Sequence, residues 1–305
     1  MPDDVPPKRS ARPAAAALAA PLSPPDGAPD GAPDGAPDRV EPGNGLTLKA
    51  LPVAVVSLAG FVLFALEQRE LGYALLAIAV ALGLVIDRAL GKDLALIGFG
   101  LAVMGAVPIT TDVSNAHMVT MGTAMVLAVA VPYLVSRFVY RDHAVRFPIR
   151  TGERWTTLEK AYLVAVPLLG YLLLPTYMIN TGVYRNWPAV SDAEGIGRLF
   201  LGTNALGIWD ELFFICTVFT LLRRHLPFWQ ANVLQAVLFT SFLYELGFHS
   251  WGPVLIYAFA LVQGYIFRLT RSLTYVVSVH LLFDLVLFLV LVHAHNREWL
   301  DIFLY

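Results

Sequence analysis

From Leu199 to Leu222 the chain runs 24 residues whose only charges are Asp210 and Glu211, side by side in the middle. As a helix this stretch rises about 36 Å, enough to cross a bilayer. Within lipid the backbone amides and carbonyls must be satisfied internally, which a helix does and a loop does not. The two acids then lie near the midplane, where each costs a few kcal/mol unless it faces a protected polar cavity. Adjacent acids at that depth point to function rather than to packing.

The rest of the chain fits the same setting. Hydrophobic residues make up 57% and charged residues 14% of the 305 positions, against the quarter charged of an ordinary soluble domain. The fold class that follows is all-α, a polytopic transmembrane helix bundle of about eight or nine spans. Apolar runs at about 50–66, 71–86, 94–111, 116–136, 161–182, 199–222, 229–246, 251–267 and 273–293 are the nine candidates. Several early ones are short enough to form a re-entrant segment or a tight hairpin. Residues 1–45 are rich in Pro, Ala, Gly and Asp, with DGAP three times in succession from Asp26 to Pro37, and are expected to be a disordered tail. Residues 46–160 then hold the N-terminal helices and residues 161–305 the part that carries chemistry. A single cysteine, Cys216, excludes an intramolecular disulfide and a thiolate metal cluster.

Lysine and arginine set the orientation. With nine spans, fourteen of them fall on one side, six between Arg137 and Lys160, and four on the other, leaving out the three in the far tail. The N-terminus is therefore expected in the cytoplasm and the C-terminus outside.

Ionisable residues inside the spans concentrate in the C-terminal half. His280 and Asp284 are four residues apart, on one face of a helix, and so are Glu245 and His249. A carboxylate in a low-dielectric pocket can act as general base toward water, an imidazole can share the proton or polarise a carbonyl, and a further polar group can hold an oxyanion. Peptide hydrolysis within a membrane needs this set. The same groups can also ligate a divalent metal such as zinc, or His280 and Asp284 can form a purely structural pair. HExxH, GxSxG and the phosphate-binding GxxxxGK[ST] are all absent. A small-solute transporter also buries carboxylates near the midplane, usually with internal repeats, but here the acids are confined to one half.

The run His280-Leu281-Leu282-Phe283-Asp284, the segment Asp210-Glu211-Leu212-Phe213-Phe214-Ile215 and the stretch Gln263 to Leu273 resemble the CPBP family of intramembrane endopeptidases. That family includes the type II CAAX prenyl proteases and the bacteriocin-processing proteins, with the signature EExxxR, FxxxH and HxxxN or HxxxD. The resemblance covers roughly residues 199–293. It implies that Asp210 activates water, Glu211 supports it, and His280 with a protonated Asp284 holds the oxyanion. Three positions depart from the signature: Asp210 replaces the first glutamate, Ile215 the arginine, and Leu243, four residues after Phe239, the histidine. His249 is the candidate to supply the missing imidazole if the chain breaks near Gly247 and turns inward. What is expected is thus an endopeptidase acting on a membrane-associated or lipidated peptide, needing no cofactor if carboxylate and histidine suffice. Its partners would be membrane lipid and that peptide, not nucleic acid, and its place the plasma membrane of a prokaryote. The alternative is a relative that has lost catalysis and acts by binding.

Overall fold

The computed structural model describes residues 47–149, 152 and 154–304; the tail expected over 1–45 lies outside the described residues. Nine helices make up the described chain: α1 Ala50–Ala65, α2 Arg69–Ile86, α3 Arg88–Gly105, α4 Asn115–Tyr140, α5 Thr157–Asn180, α6 Ala193–Arg223, α7 Phe228–Glu245, α8 Gly252–Thr270 and α9 Leu273–His295. The polar breaks between apolar runs serve as caps. Asp87, Ser114, Asp192 and Ser272 each accept a backbone N–H at the start of α3, α4, α6 and α9. Thr156 and Glu159 form a reciprocal capping box at the start of α5.

Six of the nine, α2, α4, α5, α6, α8 and α9, are long and apolar enough to cross a membrane. α1 is shorter, while α3 opens with Arg88, Lys92 and Asp93 and α7 carries Gln230, Asn232, Gln235 and Ser241. Those α7 residues are buried, and two of them find backbone partners on α8: Asn232 donates to the Leu261 carbonyl (2.9 Å) and Gln235 to that of Ala260 (3.0 Å). Satisfied in this way, they fasten α7 to α8.

Charge gathers where the breaks after α2, α4 and α6 meet. Lys49 pairs with Asp87, whose carboxyl is held down to about 2 by that bond. Arg224 binds both oxygens of the buried Asp93 (2.9 and 3.0 Å) and reaches Asp142 (2.8 Å), while His225 Nε2 lies 2.7 Å from Asp93. Arg223 donates to the Leu226 carbonyl at the same turn. The other set of breaks is tied by Thr111 to the Asn186 carbonyl, Asn186 to that of Gly247 and Tyr177 to that of His249. Neighbouring helices along the chain thus run antiparallel.

α6 is the axis. Of its most apolar window 72% is buried, against 22% for α2 and 56% for α9. It packs on α9, α7 and α4. A helix apolar on every side belongs inside a bundle. The outer faces of α2, α4 and α5 carry exposed Leu71, Ile78, Val85, Val119, Val126, Leu168 and Leu172, as lipid-facing helices require.

Candidate active site

α6 changes its winding at the acidic pair. Asp210 ends the regular α-helical part, and Glu211–Phe219 is π-helical. The hydroxyls of Thr217 and Thr220 donate to the carbonyls of Leu212 and Ile215, five residues back, at 2.9 and 3.2 Å. Such segments recur at functional sites. Just before it, the Trp209 indole donates to the Met125 carbonyl on α4 (2.8 Å) and stacks on Phe213. This clamp turns Trp209 toward α4 and leaves the acids to face α8 and α9.

Four of the five residues singled out in the sequence converge there. His280 Nδ1 lies 2.8 Å from Glu211 Oε1. Its Nε2 lies 3.9 Å from Asp210 Oδ2 and 3.7 Å from Asp284 Oδ1. The ring is held edge-on by Phe259, at 5.1 Å between centroids, with Phe239 beyond. All four residues are buried, none more than 5% exposed. Asp210 Oδ1, Glu211 Oε2 and Asp284 Oδ2 have no hydrogen-bond partner in the protein. Asp210, His280 and Asp284 line a cavity of about 50 Å³ together with Gly207, Leu243 and Phe259. That is room for a few waters.

The sequence pointed past one participant. Gln263 on α8 is fully buried and donates from Nε2 to Glu211 Oε1 at 2.6 Å. An amide in an otherwise apolar helix is a signal of the same kind as the acids, only weaker because it carries no charge.

His249 is not brought to the site, which corrects the expectation built on it. The break does occur: α7 ends at Glu245, and Gly247 takes a φ of +113°, a value suited to glycine. The residue turned inward is Phe248, which is buried and lines the cavity. His249 follows on the exposed side with its ring against Tyr244. Leu243 faces the cavity in its place. Among the described residues no group of three or more His, Cys, Asp or Glu side chains is arranged to hold a metal ion.

Close approach of α9 to α6 depends on Gly207, where a Cβ would overlap Asp284 Oδ2 and press on His280 Cδ2. Gly207→Val is expected to leave the helices assembled while pushing Asp284 and His280 out of register with Asp210. A shifted His280 imidazole signal by NMR, with unchanged helical content by circular dichroism, is the expected result. An unchanged His280 signal in this variant would show that the closeness of α6 and α9 is not needed to place the ring.

No curated protein and no solved structure matches the chain. The stretch that supplies all four converging residues does match a family model, and with six helices able to cross a membrane it indicates a multi-pass integral membrane protein. That stretch, residues 194–286, is similar to the Rce1-like type II CAAX prenyl endopeptidases.

Proposed function

We propose that the chain is an intramembrane endopeptidase that hydrolyses a peptide bond in a membrane-associated or lipidated peptide. The observation that carries this is the convergence of Asp210, His280 and Asp284 on one buried cavity, with Glu211 behind the imidazole at Nδ1 and a carboxyl oxygen of each acid left without a partner. The 3.9 Å between Asp210 and His280 Nε2 is too long for a direct bond and suits a bridging water. Asp210 takes a proton from that water as its oxygen attacks the scissile carbonyl carbon. The oxyanion then receives a hydrogen bond from protonated Asp284, while His280 Nε2, the ring proton being held on Nδ1 by Glu211, accepts one from the attacking water. When the C–N bond breaks, the proton on Asp210 passes to the leaving nitrogen. Glu211 holds the imidazole from Nδ1 throughout, and no step draws on a metal. A second, larger apolar cavity of about 550 Å³ between α4 and α6 shares Trp187, Thr203, Leu206 and Leu246 with the first. It supports an apolar or lipid-bearing substrate entering beside the acids.

The test compares membranes from cells expressing wild type or His280→Ala at equal inserted levels, mapping new peptide termini by mass spectrometry. Termini generated by wild type alone are expected. Identical sets would remove the enzyme reading.

Leu243 favours a second reading, a relative that binds peptide without cutting it, because an apolar side chain faces Asp210 where the family signature has histidine. Leu243→His separates the two. For a working enzyme the added imidazole should change the rate by about tenfold or less, since water activation already runs through Asp210. For a binding protein it should create cleavage where none existed, general acid–base groups being worth about 10²–10⁴-fold.

A further inference from the structure

We propose that Gln263 is a positioning residue of this site: it holds Glu211 as a hydrogen-bond acceptor and thereby fixes a proton on His280 Nδ1. The two halves of the argument are geometric. Gln263 Nε2 has two contacts, Glu211 Oε1 at 2.6 Å and the Val276 carbonyl at 3.2 Å. A backbone carbonyl accepts and never donates, so it orients the amide with its NH₂ toward both oxygens. The reverse orientation would set Oε1 against two acceptors. Held this way, the amide makes Glu211 Oε1 an acceptor on one side. On the other side, 2.8 Å away, His280 Nδ1 is left to donate. Which ring nitrogen of a histidine carries the proton is set by the bond the other makes. Here that choice leaves Nε2 free to work in the gap between Asp210 and Asp284.

The local sequence explains how the amide gets there. Gly264 lets α8 press against α7, where a Cβ would overlap Asn232 Oδ1. Its neighbour Gln263 is thereby carried to the α6–α9 seam. The donor to Glu211 thus comes from a different helix than Ile215, the position where the resembled signature has arginine, and it is neutral. Gln263 Oε1 has no partner, so the polar work of this side chain is done by its NH₂.

As a contribution to hydrolysis this rests on the endopeptidase reading; as a device that fixes a proton it is testable without it. Protein with ¹⁵N-labelled histidine is placed in nanodiscs of phosphatidylethanolamine and phosphatidylglycerol, and the His280 signal is assigned by its loss in His280→Gln. Wild type is expected to show a protonated, hydrogen-bonded Nδ1. Gln263→Met, which keeps length and removes the donor, and the isosteric Gln263→Glu should each lose that fixed signature and give a mixture of tautomers. A folded variant with the wild-type His280 pattern overturns the proposal. If neither variant folds, the wild type decides alone. A magnetisation transfer between the Gln263 amide, assigned by selective ¹⁵N-glutamine labelling, and the His280 Nδ1 proton supports the proposal. Its absence overturns it. Against a substrate found by terminus mapping, Gln263→Met should lower kcat by about 10–100-fold with KM within about twofold. A tautomer change without any cleavage by wild type would leave the proposal standing and the endopeptidase reading fallen.

Discussion

On the endopeptidase reading, Asp210→Asn is expected to lower the rate of peptide-bond cleavage by about 10²–10⁴-fold while leaving the inserted protein intact. Asparagine has the shape of aspartate, so the 1%-exposed position keeps its packing and the cavity its outline. What changes is the ability to take a proton from water. Replacing a buried acid by an amide also removes an ionisable group from the membrane interior, so stability should hold or rise. The comparison is kcat/KM for wild type and variant on a substrate found by terminus mapping, with thermal unfolding as the control. A variant within about threefold of wild type would move the base to Asp284, the other acid among the described residues that faces both His280 and the cavity.

Arg224→Met should cost about 3 kcal/mol of stability, the low end of what removing one partner from a buried ion pair typically costs. Asp93 is 2% exposed and takes a bond on each of its oxygens from this one guanidinium. The estimate sits at the low end because the arginine side chain is 30% exposed and His225 stays at 2.7 Å from Asp93. Thermal unfolding in mild detergent measures it. The double variant Asp93→Leu with Arg224→Met should recover most of the loss, because no charge is then left stranded. Equal stability of the single variant and wild type would mean that Asp93 finds sufficient compensation in His225 alone. Neither residue lines the candidate site, so cleavage by surviving protein should be unchanged.

The helices were legible because a run of apolar residues in lipid has few ways to satisfy its backbone, and the caps Asp87, Ser114, Thr156, Asp192 and Ser272 fall where five of the runs begin. The acids and His280 were legible because charge at depth is costly enough to stand out. Three things were not. The π-helical stretch from Glu211 leaves no residue signature, since it arises from how α6 packs against its neighbours. His249 was placed by assuming that a chain turning at Gly247 turns its histidine inward, whereas the turn spends its buried position on Phe248. Gln263 was overlooked because one uncharged amide weighs little in a hydropathy pattern, although its bond to Glu211 is the shortest given for any of the converging residues.

The placement of the acidic pair on the innermost helix bears on how the protein is made. Glu211 precedes His280 by 69 residues, and Gln263 also comes later in the chain. At about 5–20 residues per second of synthesis, α6 waits several seconds before its partners emerge. Through that interval two carboxyl groups sit on a helix that the bilayer alone would accept only at a cost of a few kcal/mol each. Whatever the route of insertion, the partners of this acidic pair are the last helices made, so the site can close only when α9 is in place.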